Sequence, residues 1–132
     1  MVDDAISEDV KRFISAYIDS VELLEVLLLI RRAGKKEWSA DSISRELRSN
    51  PSSVTKRLTD LRARGLVSVK EGSPPLYYYH PETEALDSAI QGLAEAYAER
   101  QARVIDLIFS KPINTLRDFS DAFKLKREDK NG

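Results

Sequence analysis

Residues Ser39–His80 read SADSISRELRSNPSSVTKRLTDLRARGLVSVKEGSPPLYYYH, and the fold turns on them. Ser39 is placed to cap a short helix on which Ile43 and Leu47, one turn apart, form the inward pair. Asn50-Pro51 marks a turn and a restart. Asparagine is a strong helix cap, and proline costs nothing at the first helical position, where its missing N–H would be unpaired anyway. The next helix runs from about Pro51 to Arg64, with Val54, Leu58 and Leu61 inward and Gly65 closing it. Leu66–Lys70 then alternates and is β-branched, residues 71–75 turn, and Leu76–His80 returns as an aromatic strand. Pro74 and Pro75 keep the tip out of the hydrogen-bonded ladder. Two helices joined by a tight turn form a helix-turn-helix, whose second helix suits the DNA major groove, and the hairpin is its wing.

Working outward, Ser7 caps a first helix on which Val10, Phe13, Ile14, Tyr17 and Ile18 share one face. Ser20 caps a second, Val21 to Arg32, ended by basic residues and Gly34. Its leucine-rich run is apolar around most of its circumference, which marks the central helix of a domain. Lys35–Trp38 is a short connection suited to adding an edge strand to the wing. Downstream, residues 82–111 predict one long helix of about 45 Å at 1.5 Å per residue. Leu86, Ile90, Leu93, Tyr97, Val104 and Leu107 give it a seam, so pairing with a second copy is expected; the alternative is a break near Arg100–Arg103. Asn114 or Thr115 then caps a short helix bearing Leu116, Phe119 and Phe123, before a charged tail from Lys124. The expected fold is mainly α with a small β-hairpin wing, a winged helix-turn-helix with a long C-terminal dimerisation helix. The expected division is a winged unit at residues 1–81 and a C-terminal helical segment at 82–132.

The 132 residues carry a net charge of only −1, but its distribution is uneven. Residues 35–80 hold nine basic and five acidic side chains, net +4, so positive charge gathers in the unit that pattern reading assigns to DNA. With no cysteine and one histidine, His80, neither a disulfide nor a thiolate or histidine metal centre is expected, and no cofactor. Neither a glycine-rich phosphate loop nor a histidine beside a nucleophile occurs, so an enzyme is not expected. Val26–Ile30, the longest apolar run, is far shorter than the roughly 20 residues that span a bilayer, and residues 1–5 do not resemble an export signal. A cytoplasmic protein without a membrane partner is the expectation.

Winding residues 51–64 on a helix with Val54, Leu58 and Leu61 inward leaves Ser52, Lys56 and Thr59 outward, flanked by Ser53, Thr55 and Asp60. Hydroxyls donate or accept, and lysine reaches guanine O6 or N7, so Ser52, Ser53, Thr55 and Lys56, with Thr59, are the candidates for base edges in double-stranded DNA. Arg57, Arg62, Arg64, Arg45, Arg48 and Lys70 suit phosphates, which set register and affinity without a sequence code. Tyr77, Tyr78, Tyr79 and Trp38 read as packing on their own domain, and His80 as a strand-end side chain.

At residues 49–72, SNPSSVTKRLTDLRARGLVSVKEG, the chain resembles bacterial winged helix-turn-helix transcriptional regulators of the MarR/ArsR type, in which the recognition helix runs into a Gly-Leu-Val opening the wing, here Gly65-Leu66-Val67. The resemblance covers about residues 20–80. It implies a dimeric repressor or activator on a pseudo-palindromic operator, with Ser52, Ser53, Thr55, Lys56 and Arg57 toward DNA. Two departures stand out: the wing tip is not strongly basic, and the cysteines and histidines of metal-sensing branches are missing. The C-terminal stretch at 97–123 is similar instead to a little-characterised group of short bacterial winged-helix proteins. Two other functions suit the same pattern. One is a protein-interaction adaptor, anti-sigma-like, using the winged helix as a scaffold. The other is an effector-gated repressor holding a small apolar molecule between the winged unit and the long helix.

Overall fold

The computed structural model describes residues 6–110. Six helices and one hairpin follow in the order α1 (Glu8–Tyr17), α2 (Val21–Arg32), α3 (Ala40–Leu47), α4 (Pro51–Ala63), β1 (Val67–Lys70), β2 (Leu76–Tyr79), α5 (Glu84–Glu99) and α6 (Gln101–Phe109). The expected helix and tail beyond residue 111 lie outside the described residues.

Side-chain caps set the helix starts. Ser7, Ser20 and Ser39 each accept the amide of the residue three positions on, from Val10, Leu23 and Ser42, all at 3.1 Å. Thr83 does the same for Leu86 at 3.0 Å, so α5 begins two residues after the expected Glu82. At α4, Asn50 Oδ1 accepts from Ser52 N at 2.8 Å and Ser53 N at 3.3 Å, satisfying two of the helix's unpaired amides. Asn50→Ala is expected to cost about 1 kcal/mol, read as a lower urea midpoint at unchanged m-value.

Helix α2 is the centre. Leu23, Leu24, Val26, Leu27 and Ile30 are completely buried, because α3, α4 and β2 all pack against this one helix. Val54, Leu58 and Leu61 of α4 and Ile43 of α3 meet it from one side. The hairpin is antiparallel with Val67 opposite Tyr79 and Lys70 opposite Leu76. Trp38 joins it as a third, single-residue rung: its N–H reaches Tyr77 O at 2.8 Å and its carbonyl accepts from Tyr77 N at 2.7 Å. Gly65, at φ +79°, makes the left-handed turn from α4 into β1.

Helix α1 lies against α5 and α6, so the two ends of the described chain share a layer. Gly92 permits the close approach: a Cβ there would sit 3.0 Å from Val10 Cγ2. The single helix expected over 82–111 is two helices, broken at Arg100 (φ −138°, ψ 57°), the site of the alternative reading. The turn lays α6 against α1 and α5, where Val104 and Ile108 are buried. Ile90, Leu93 and Val104, expected at an interface between copies, are thus wholly covered by their own chain.

Candidate nucleic-acid interface

Helix α4 has two unequal sides. Val54, Leu58 and Leu61 have no exposed surface, which fixes the helix's rotation about its own axis. The opposite side then presents Ser52, Thr55, Lys56, Thr59 and Arg62, all exposed. The Thr59 hydroxyl donates to Thr55 O at 3.0 Å, which leaves its oxygen to act as an acceptor. Arg45 and Arg48 are also exposed, at the end of α3, and Arg48 takes the left-handed backbone (φ 56°) that turns the chain toward Asn50. Among the described residues, none of Lys56, Arg62, Arg45 and Arg48 is held in an ion pair. Exposed cations without an ion pair thus accompany the hydroxyls on α4 and stand at the end of α3.

The other sequence candidates are already engaged. Ser53 Oγ donates to Glu22 Oε1 of α2, and Arg57 Nε donates to the same oxygen at 2.9 Å. Arg64 donates to the Tyr17 carbonyl at 2.7 Å and to Asp19 Oδ2 at 3.0 Å, tying the end of α4 to the α1–α2 connection. Lys70 pairs with Glu37 at 3.1 Å on the wing. The wing tip, residues 71–75, is exposed and carries Glu71 as its one charge. Ser68 Oγ and His80 Nδ1 share a hydrogen bond at 2.7 Å across the hairpin's open end.

Burial alone pushes the Glu22 carboxyl up, but hydrogen bonds from Ser53 and Arg57, the Arg57 charge and the Ser49 hydroxyl more than offset it, and it stays below the ordinary carboxylate range. Glu22 is the residue that linear reading missed. It lies 31 and 35 positions from its partners, and only the crossing of α2 over α4 brings them together.

A second feature lies behind this face. A cleft of about 650 Å³ separates α2 and β2 from α5, lined by Leu28, Arg31, Arg32, Tyr79, Asp87 and Tyr97 among others. Tyr79 OH donates to Asp87 Oδ1 at 2.6 Å, and Tyr97 OH donates to Glu25 Oε2 at 3.0 Å, so phenols bridge the wing and α2 to α5. Burial, then the Asp87 hydrogen bond and charge, push the Tyr79 phenol well above its usual value; burial and Glu25 push Tyr97 up as well. The folded state thus holds these protons more tightly than the unfolded chain. Their contribution to stability is complete below about pH 10, the unfolded value, and is lost as pH rises above it. Urea midpoints at pH 9 and pH 11 should therefore fall less in a Tyr79→Phe/Tyr97→Phe variant than in the parent.

Among the described residues no group of three or more His, Asp or Glu side chains is placed to hold a metal ion, and no helix is long and apolar enough to cross a membrane.

The same arrangement of elements recurs in solved structures. The YusO protein from Bacillus subtilis matches with a TM-score of 0.53 at 13% identity, over 92% of this chain and 86% of that one. CouR from Rhodococcus jostii RHA1, in a structure bound to p-coumaroyl-CoA, matches with a TM-score of 0.51 at 20% identity, over 91% and 85%. The chain has a winged helix fold. RV1404 from Mycobacterium tuberculosis is similar at a TM-score of 0.50 and 14% identity, over 86% of this chain and 81% of that one. No family model and no curated protein matches the sequence. Within the winged helix α4 is the second helix of the helix-turn-helix, and Ser52, Thr55, Lys56 and Thr59 lie on its outer face.

Proposed function

We propose that the protein is a sequence-specific, DNA-binding transcriptional regulator of the cytoplasm that acts as a homodimer. One observation carries this reading: the outer face of α4 presents hydroxyls and an unpaired lysine to solvent, while its inner face is locked to α2. Ser52, Thr55, Lys56 and Thr59 read base edges, and Arg62, Arg45 and Arg48 hold phosphates. A two-fold pair would set its recognition helices in successive major grooves, about 34 Å apart. A groove of about 620 Å³ between α1 and α5, lined by Phe13, Ala16, Tyr17, Ala85 and Ala89 among others, supports α1 and α5 as the pairing surface. The cleft rimmed by Arg31 and Arg32 has the volume of a small-molecule site and supports an effector seat, as does the p-coumaroyl-CoA bound by the similar CouR.

The test is retention of fragmented genomic DNA by the purified full chain across a salt series, with light scattering for the oligomer. Retention at low salt, an affinity falling linearly on log–log axes and a mass of two chains are expected. A monomer that retains no DNA at 50 mM salt contradicts the proposal.

A further inference from the structure

The first turns of α4 carry more DNA-binding chemistry than they display. Ser53 and Arg57 sit one turn apart on the flank of the helix facing α2, and each donates a hydrogen bond, from the Ser53 hydroxyl and from Arg57 Nε, to one carboxylate oxygen of Glu22. Glu22 is itself fixed, in the first turn of α2 behind the Ser20 cap, on the most buried helix of the molecule. The Arg57 and Glu22 side chains keep only 24% and 23% of their surface exposed, so this contact is far less open to water than the ion pair of Lys70 with Glu37, at 62% and 36%. Arg57 is thus a cation on the recognition helix whose charge is cancelled from within, whereas Lys56, its neighbour in sequence, points to solvent with none.

We propose that Glu22 is a specificity-determining, positioning residue: it withholds Arg57 and Ser53 from DNA, so that the recognition face consists of Ser52, Thr55, Lys56 and Thr59 alone. This rests on α4 being the recognition helix. An arginine released on this flank would add a phosphate contact, which binds every sequence alike and therefore raises affinity while diluting discrimination. Glu22 trades affinity for selectivity.

The salt slope of DNA binding separates this role from a merely structural one. Glu22→Gln keeps an oxygen that accepts from Ser53 but removes the charge that holds Arg57. With one cation released, the slope of log K against log salt on random-sequence duplex should steepen by about 0.9, and non-specific affinity should rise at low salt. The double variant Glu22→Gln/Arg57→Gln should return to the parent slope. A structural role alone would lower the melting midpoint of Glu22→Gln and leave the slope where it was. An unchanged slope in Glu22→Gln, or a double variant as steep as the single one, overturns the proposal while leaving DNA binding by α4 intact. A parent chain with no affinity for DNA overturns both. Should glutamine at position 22 unfold the chain, the Arg57 Nε–H resonance of the labelled parent protein decides instead. It should keep its position as duplex DNA is added, and a shift on titration contradicts the proposal.

Discussion

Alanine at both Lys56 and Arg62 is expected to cut affinity for duplex DNA about a hundredfold at physiological salt and to make the salt slope shallower by about 1.8. Both side chains are exposed on the outer face of α4, and neither is paired within the described chain. A charged contact to phosphate or a base edge contributes about 1.5–3 kcal/mol. Two of them at the low end of that range, about 3 kcal/mol together, account for a loss of at least about a hundredfold. Because neither residue supports the core, folding stability should move by no more than about 0.5 kcal/mol. A fluorescence-anisotropy titration over a salt series, paired with a urea melt, reads both quantities. Lost binding with an unchanged melt is the expected pattern, and unchanged slope would remove α4 from the interface.

The second large effect lies in the helix that holds α4 in place. Leu27 is completely buried at the middle of α2, where α3, α4 and the wing converge, so Leu27→Ala leaves a cavity that several elements would have to move to fill. The expected cost is about 3–5 kcal/mol, a large fraction of the 5–15 kcal/mol typical of a small domain. Leu28, one position on, borders the cleft beside Tyr97 and is only half-buried, so Leu28→Ala should cost less than half as much. Urea denaturation compares the two. Equal losses would mean that α2 is rotated from the orientation described.

The contrast between those neighbours shows what a linear reading can and cannot extract. Ser7, Ser20, Ser39 and Asn50 were legible as caps because a cap is satisfied within three residues of itself. The inner face of α4 was legible for the same reason: Val54, Leu58 and Leu61 repeat at helical spacing whatever they pack against. The break at Arg100 was legible only as an alternative. No proline or glycine stands there, and the apolar pattern runs on through Val104; the break goes with packing of α6 on α1, a contact that the pattern does not encode. The same limit applies to the site. Ser53, Arg57 and Arg64 have the right chemistry for DNA, but their assignment to Glu22, Tyr17 and Asp19 depends on contacts 31 to 47 residues apart in the chain. Helical periodicity places a side chain on a face; it does not say who else has reached that face first.

Since the sequence contains no cysteine, a single introduced thiol reports on one position only. Thr59→Cys puts it on the outer face of α4, and Gln91→Cys on the exposed side of α5. Disulfide capture by duplex DNA carrying thiol tethers in its major groove should label Thr59→Cys heavily and Gln91→Cys at background. Equal capture at the two positions, or capture at Gln91→Cys alone, would contradict recognition of DNA through α4.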